Sequence, residues 1–291
     1  MSPAPLPALK QEAAALAGRL GSLRTRARAA SAAHLGSASR RRSGTGENFW
    51  QYRRHNAEDG AQRVDWRKSA REDHLYVRET ELETSRTFLF WVDPSPGFAW
   101  SGEAKTPEKA DRALVISMAL AGALARSGER CGALGGGRPA VSGGRASSRV
   151  GEDVRNFAPD APFPKPPREQ AAVVVASDFY EPLETWRARL QPLAARCRDG
   201  LLLQVSDPVE ASYPFTGRVR FFRPGVERVR LVGRSESLRD EYLERFERRR
   251  QEVVDLAAEF GWRAVSHLTS EDPSTPLGLL AHYFGMEGAP A

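Results

Sequence analysis

The sequence predicts an α/β protein with a doubly wound, mostly parallel central sheet and helices on both faces. Three apolar runs carry this prediction, and each ends in an aspartate: residues 87–93 (TFLFWVD), 171–178 (AAVVVASD) and 201–207 (LLLQVSD). A strand without polar alternation is buried on both faces, as the inner strands of a parallel sheet are. Stretches with helical spacing of apolar residues separate the runs, which is the alternation expected of a wound α/β domain.

Composition supports a folded protein of ordinary type. The chain has 291 residues, of which 41% are hydrophobic and 27% charged, with a formal net charge of +6. Its longest apolar stretch, residues 113–125, is shorter than the roughly 20 residues of a membrane-spanning helix. Cys131 and Cys197 are far apart and lie in apolar segments, so we expect buried thiols rather than a disulfide. These features predict a cytoplasmic protein.

The first 43 residues form a separate extension, rich in Ala, Ser and Arg. Its apolar residues recur at helical spacing, which predicts a short amphipathic helix docked on the body: Leu6, Leu9, Ala13, Leu16 and Leu20. The remainder is interpreted as a solvated, partly disordered basic tail. In the alternative interpretation this arm binds nucleic acid.

The middle of the chain continues the alternation. A helix is predicted over residues 106–127, with Thr106 as its cap and Pro107 at its first position. A short strand over 131–134 and a glycine-rich loop over 135–144 follow. The proline-rich residues 157–168 predict a surface loop.

Five further elements complete the domain. They are a helix over 183–197 that Pro192 kinks or breaks, an antiparallel hairpin of 219–222 with 228–232 at the sheet edge, a helix from the cap Ser237 to 261, a strand over 263–268 and a closing helix over 276–284. The sequence thus predicts one α/β domain over residues 87–286. Residues 1–43 and a segment over 44–86, packed on the domain, precede it.

The strand ends predict where function lies. Ligands of open α/β sheets bind beyond the carboxyl ends of the strands. Asp93 and Ser95 follow the first apolar run and Asp178 follows the second, so these oxygens are expected at one edge of the sheet. Oxygen ligands suit Mg²⁺. In the structural alternative, Asp93 caps the following turn through backbone amides.

The chain also resembles a known family, the bacterial domain of unknown function 58 family, over roughly residues 42–284. Later parts of that family are similar to SDF at 177–179, LLQVSDP at 202–208 and GRVRF at 217–221. Its signature is similar to a series of residues in the 44–86 segment: Gly44, Gly46, Glu47, Phe49, Arg53, Asp59, Val64, Asp65, Trp66, Ala70, Arg71, Val77, Arg78 and Glu79.

The resemblance implies a von Willebrand factor A-like fold whose members often bind a divalent cation through a D-x-S-x-S loop. It implies Asp93, Ser95 and Asp178 as ligands of Mg²⁺ or another divalent cation. Gly97 stands where the pattern has its second serine, so the site is degenerate. Thr106 and Ser142 are both candidates for a threonine-like ligand.

The resemblance also implies partners. The family accompanies MoxR-type AAA+ ATPases and is thought to assist the assembly or maturation of other proteins, with membrane-associated von Willebrand factor A-like proteins as further partners. The predicted partner-binding residues belong to the signature segment: Glu47, Phe49, Arg53, Asp59, Asp65, Trp66, Arg71 and Arg78. In the alternative interpretation, their charges and rings form an internal network.

Enzymatic motifs are missing from the sequence. No HExxH spacing, G-x-S-x-G turn or Gly-Lys-Ser/Thr sequence occurs. Asp93 with Asp178 forms a carboxylate pair, but no partner base or lysine is identifiable from sequence. We therefore predict a non-enzymatic protein-interaction module with no small-molecule substrate. The alternatives are a basic nucleic-acid-binding protein and a metal-dependent hydrolase.

Overall fold

The computed structural model describes residues 3–19, 24–25, 43–56, 60, 64–71, 74–81, 85–103, 105–197, 199–222, 229–284 and 286–287. The chain divides into two compact units. The main unit contains Met1–Arg28 and Arg86–Ala291, and the small unit contains Ala29–Ser85. Each unit is described by itself.

Both units contain helices and strands, which are numbered in chain order. The described helices are α1 Leu6–Arg19, α2 Trp66–Ser69, α3 Lys109–Arg126, α4 Ala146–Arg155, α5 Leu183–Ala194, α6 Pro208–Ser212, α7 Arg239–Glu259 and α8 Ser274–Tyr283, with a 3₁₀ helix at Ser235–Leu238. The described strands are β1 Arg24–Thr25, β2 Ser43–Arg54, β3 Tyr76–Glu81, β4 Thr87–Val92, β5 Arg130–Ala133, β6 Ala172–Ser177, β7 Gly200–Ser206, β8 Val219–Phe222, β9 Val229–Val232, β10 Arg263–Leu268 and β11 Met286–Glu287. Of these elements, α2, β2 and β3 belong to the small unit.

A five-stranded sheet forms the centre of the main unit, in the order β10-β7-β6-β4-β5, and all of its neighbouring strands are parallel. Every residue of β6 and β7 is buried, as their unbroken apolar sequences predict. Successive side chains point to opposite faces, where two apolar clusters form. One contains residues of α1, α3, α4 and α8, and the other contains residues of α5 and α7. The predicted α/β class with a mostly parallel sheet is confirmed.

Helix α1 is part of the core of the main unit. Four of its side chains are buried: Leu9, Ala13, Leu16 and Ala17. Asp111 on α3 fastens the backbone just before α1, because its Oδ2 accepts a hydrogen bond from Ala4 N at 2.8 Å and its Oδ1 accepts one from Arg155 Nη1 at 2.6 Å. The predicted docking helix is therefore present. Leu20 and residues 26–42 lie outside the described residues.

The predicted hairpin is also present, but it does not extend the central sheet. β8 and β9 pair antiparallel from Val219↔Val232 to Phe222↔Val229 and form a two-stranded sheet of their own. The edges of the central sheet are β10 and β5. The hairpin therefore has an exposed surface that is separate from the edges of the central sheet.

Several predicted helix boundaries are wrong for local reasons. Helix α3 begins at Lys109, because the Thr106 hydroxyl bonds Glu103 O and Ser101 Oγ and so closes a loop instead of capping the helix. Helix α7 begins at Arg239 after a 3₁₀ turn, and the Ser237 hydroxyl donates to Arg234 O. Pro192 does not break α5, which continues two residues further to Ala194.

The apolar cluster that contains residues of α5 and α7 is tightly packed around Gly200. A Cβ built on it would lie 2.0 Å from the Trp262 ring, whose Nε1 donates to Cys197 O at 3.2 Å. We expect Gly200→Ala to destabilise the protein by about 2 to 3 kcal/mol, since a rigid indole cannot yield easily. Thermal or urea unfolding measures this. Gly278→Ala is the matched control, because no atom lies near its Cβ and helix α8 should gain about 0.5 to 1 kcal/mol. Equal stability of the two variants would contradict the packing argument.

Both cysteines are buried free thiols, as predicted. Burial raises the pKa of Cys197 to about 11, so its thiol stays protonated near neutral pH. Among the helices that the structure describes, none combines the length and apolar character needed to cross a membrane.

Candidate functional site

Asp93 and Asp178 lie at the same edge of the central sheet. They directly follow β4 and β6, which are neighbouring parallel strands in the register Val92↔Ala176. The Asp93 amide continues this pairing by donating to Ala176 O at 2.9 Å. Both aspartates and Ser95 line one cavity of about 170 Å³. The structure thus brings the three predicted metal ligands together.

Asp93 has a structural role in this arrangement. Its Oδ1 accepts a hydrogen bond from Ser95 N at 2.9 Å, which closes the turn after β4. Its Oδ2 accepts one from Ser177 Oγ at 2.7 Å, which ties that turn to the end of β6. The turn-capping alternative for Asp93 therefore describes what its oxygens do.

Asp178 is paired with a lysine that sequence reasoning missed. Lys109 Nζ donates to Asp178 Oδ2 at 2.9 Å and to Glu210 Oε1 at 2.8 Å. The other Asp178 oxygen, Oδ1, accepts from Tyr180 N at 3.1 Å. The side chain of Lys109 is only 1% exposed. The sequence identified no lysine partner for the aspartate pair, and the structure places Lys109 against one of the two, Asp178.

Aromatic rings surround the same ammonium group. Lys109 Nζ lies 5.9 Å, 5.6 Å and 5.2 Å from the ring centroids of Phe98, Trp100 and Tyr180, within the range of cation–π attraction. Burial alone would lower the pKa of Lys109. The charges of Asp178 and Glu210 outweigh that effect and leave the pKa raised, so the group is an ammonium ion near neutral pH.

Local sequence explains how the partners of Lys109 are held. Glu210 belongs to a capping box at the start of α6, where its Oε2 accepts from Asp207 N at 2.8 Å. Asp207 in turn accepts from Val209 N at 2.9 Å and from Gly102 N at 3.0 Å. The D-P-x-E spacing at 207–210 is the sequence signal that could have located Glu210. Burial raises the pKa of Glu210 while the charge of Lys109 lowers it, and burial dominates.

A larger cavity of about 330 Å³ opens beside this ion cluster. Lys109, Asp178, Glu210 and Arg220 contribute the charged part of its lining, and Gly97 also borders it. The remaining wall is mainly aromatic: Trp100, Tyr180, Tyr213, Phe215, Phe221, Phe222 and Tyr242. We call this space the aromatic cavity. Its size and mixed lining are those of a site that takes an apolar group of a ligand.

The four carboxylate oxygens of Asp93 and Asp178 each already accept a hydrogen bond. Among the described residues, no group of three or more His, Cys, Asp or Glu side chains is arranged to hold a metal ion. Asp178 Oδ2 can join this donor set as a ligand of a divalent cation only if Lys109 is displaced. The Mg²⁺ site stays a prediction.

The signature segment forms the small unit. β2 pairs antiparallel with β3, and Asp65 caps α2 by accepting from Arg67 N at 3.1 Å and Lys68 N at 3.0 Å. Tyr52 OH donates to the other Asp65 oxygen at 3.2 Å. The Lys68 ammonium lies over the rings of Tyr52 and Tyr76. An internal network of charges and rings, the alternative interpretation, is thus present around Asp65.

The other predicted partner-binding residues divide into three groups. Trp66 on α2 is 61% exposed, and Arg71 is exposed as well. Glu47, Phe49 and Arg53 lie on β2 and Arg78 lies on β3, but the structure describes only their backbone. Asp59 lies outside the described residues. Trp66 is therefore the most exposed aromatic side chain among the described residues of this unit, ahead of Tyr52 at 39%.

Comparison with known proteins gives a family and distant relatives. The sequence model of the family described as "Protein of unknown function DUF58" matches residues 51–252. The chain is similar to the uncharacterized proteins Mb1516 of Mycobacterium bovis, MT1527 of Mycobacterium tuberculosis strain CDC 1551 and Rv1480 of Mycobacterium tuberculosis strain H37Rv. Each is 26% identical over 234 residues, which cover 74% of this chain and 72% of the relative. No solved structure matches the chain significantly.

Proposed function

Because this chain belongs to the DUF58 family of proteins of unknown function, we propose that it is a non-enzymatic protein-interaction module of the cytoplasm. In this proposal it acts with a MoxR-type AAA+ ATPase as an adaptor in the assembly or maturation of other proteins. Its main unit has a von Willebrand factor A-like fold. The parallel sheet with helices on both faces, and the polar side chains at the carboxyl edge, support that assignment.

An exposed apolar surface carries the proposal. Side chains alternate along the β8–β9 hairpin, and the register Arg220↔Leu231 and Phe222↔Val229 places these four on one face. Phe222 is 68% exposed and Leu231 is 53% exposed. We call these four residues the hairpin face. Apolar side chains grouped in this way at the surface are typical of protein-binding sites.

The hairpin face lies beside the aromatic cavity, since β8 lines that cavity with residues of both of its faces, Arg220 and Phe222 as well as Val219 and Phe221. A partner segment that lies along the hairpin could place an apolar side chain in the cavity. Such anchors in pockets contribute most of the binding energy of many interfaces. Arg218, Arg220 and Arg230 are exposed on the same hairpin and favour an acidic partner surface. Trp66 supplies a second exposed aromatic contact in the small unit.

Binding to a MoxR-type ATPase from the same organism tests this function. With the full chain immobilised, we expect Phe222→Ser and Trp66→Ala each to weaken binding about tenfold or more, because each removes an exposed aromatic anchor. Biolayer interferometry in the presence of ATP and of ADP measures the dissociation constants.

Leu279→Ser is the matched control, because Leu279 is 56% exposed on α8, away from the hairpin. This variant should bind as wild type does. Absence of wild-type binding, or wild-type affinity in both aromatic variants, would count against the proposed partnership. A phosphatase or nuclease activity that depends on Mg²⁺ would instead favour the hydrolase alternative. Binding to DNA that falls with salt and is lost on deletion of residues 26–42 would favour the nucleic-acid alternative.

A further inference from the structure

The carboxylates at the carboxyl edge receive a counter-charge from within the chain. Lys109 is the first residue of α3, and its ammonium group lies between the carboxylates of Asp178 and Glu210. Asp178 follows β6, and Glu210 lies on the short helix after β7, so two neighbouring strands converge on one cation. An unpaired buried carboxylate is strongly unfavourable, and this shared ammonium offsets part of that cost for both carboxylates.

The position of the ammonium corresponds to a departure in sequence. Gly97 stands where a D-x-S-x-S loop has its last serine, and Gly97 and Lys109 line the same cavity. The loop therefore lacks the serine hydroxyl that would bind a metal ion, and the ammonium group of Lys109 lies in the cavity that Gly97 borders. A divalent ion bound by Asp178 Oδ2 would have to displace an ammonium group that makes two hydrogen bonds and three ring contacts.

We propose that the ammonium group of Lys109 is the resident cation of this edge and takes the place of a divalent metal ion. The attached cation cannot be exchanged or removed by a chelator. Because it is buried, it also cannot coordinate a carboxylate of a partner as a metal ion with open positions would. Recognition at this edge then depends on the apolar lining of the cavity and is independent of metal. This inference holds whether or not the partner is an ATPase.

Mn²⁺ binding tests the inference, with electron paramagnetic resonance reporting free ion. We expect wild type to bind no Mn²⁺ at this edge. Lys109→Ala leaves the two carboxylates facing a vacated position large enough for a hydrated ion, so it should bind Mn²⁺ at least tenfold more tightly than wild type. Adding Asp178→Asn to Lys109→Ala should abolish that gain.

Two results would overturn the inference. The first is stoichiometric Mn²⁺ binding by wild type that Asp178→Asn removes. The second is a folded Lys109→Ala variant whose Mn²⁺ affinity equals that of the double variant. If Lys109→Ala does not fold, thermal unfolding of wild type decides: a midpoint unchanged by EDTA and by millimolar Mg²⁺ supports the inference, and a midpoint lowered by EDTA refutes it.

Discussion

Replacement of Lys109 by methionine is expected to lower the free energy of unfolding by about 3 to 5 kcal/mol near neutral pH. Methionine has a similar length and is apolar, so it fills the space without leaving a cavity. Asp178 and Glu210 then lose their counter-charge while they stay buried beside aromatic rings. Urea unfolding followed by circular dichroism measures the loss.

The loss should depend on pH in a defined direction. Burial raises the pKa of Glu210, and without the ammonium group, whose charge lowers it, that pKa lies further above its value in the unfolded chain. The folded variant then binds more protons, so its stability increases as pH falls from neutral toward about 5. The difference in free energy of unfolding between wild type and Lys109→Met should therefore become smaller as the pH falls.

An exposed ion pair provides the control. Arg245 and Glu241 are one helical turn apart on α7 and both are exposed. Arg245→Met should cost less than about 0.5 kcal/mol, because solvent screens such pairs. If Lys109→Met lowered the free energy of unfolding no more than Arg245→Met does, the buried ion cluster would contribute no more to stability than an exposed ion pair.

A buried histidine should make the protein sensitive to acid. His267 on β10 is 2% exposed, and its pKa is lowered from 6.5 to about 4, mainly by burial and also by the positive charge of Arg112. Glu271, whose Oε2 lies 3.4 Å from His267 Nδ1, and Asp272 oppose this shift without reversing it. The folded protein thus keeps the imidazole neutral at a pH where the unfolded chain protonates it.

The sign follows from proton binding. Between about pH 6.5 and about pH 4 the unfolded state binds more protons at this residue, so the protein loses stability as the pH falls, by about 3 kcal/mol over the whole interval. His267→Leu should remove that part of the pH dependence. The free energy of unfolding in urea, measured across this interval, reports the difference in slope. His282→Leu, at an exposed histidine of α8, should keep the wild-type slope. Identical slopes in wild type and His267→Leu would refute the assignment.

Much of the fold was predictable because its signals are local. The apolar runs that became β4, β6 and β7 are continuous in sequence, and an apolar run that long leaves few alternatives to a buried strand. Helix α4 was not predicted. Its sequence ASSRVGEDVR has few strong helix formers, and the helix depends on packing of Val150 and Val154 against the core.

The candidate site was predictable only in part, for a physical reason. Asp93 and Asp178 share an edge because parallel strands place their carboxyl ends together, which strand order and sequence pattern suggest. Lys109 meets Asp178 and Glu210 across 69 and 101 residues of sequence. No periodic pattern in the sequence indicates such a long-range ion pair. From sequence alone, a lysine at the start of a helix is expected to be a solvated charge. The folded structure instead places Lys109 beside aromatic rings.

The burial of α1 has a consequence for how the chain is made. Leu9, Leu16 and their neighbours leave the ribosome well before α3 and α4, the helices that cover them, have been synthesised. Until then the apolar face of α1 is uncovered in the nascent polypeptide, a feature that favours self-association and chaperone capture. Folding of the main unit is thus expected to finish late in translation, and its yield to depend on growth temperature and expression rate.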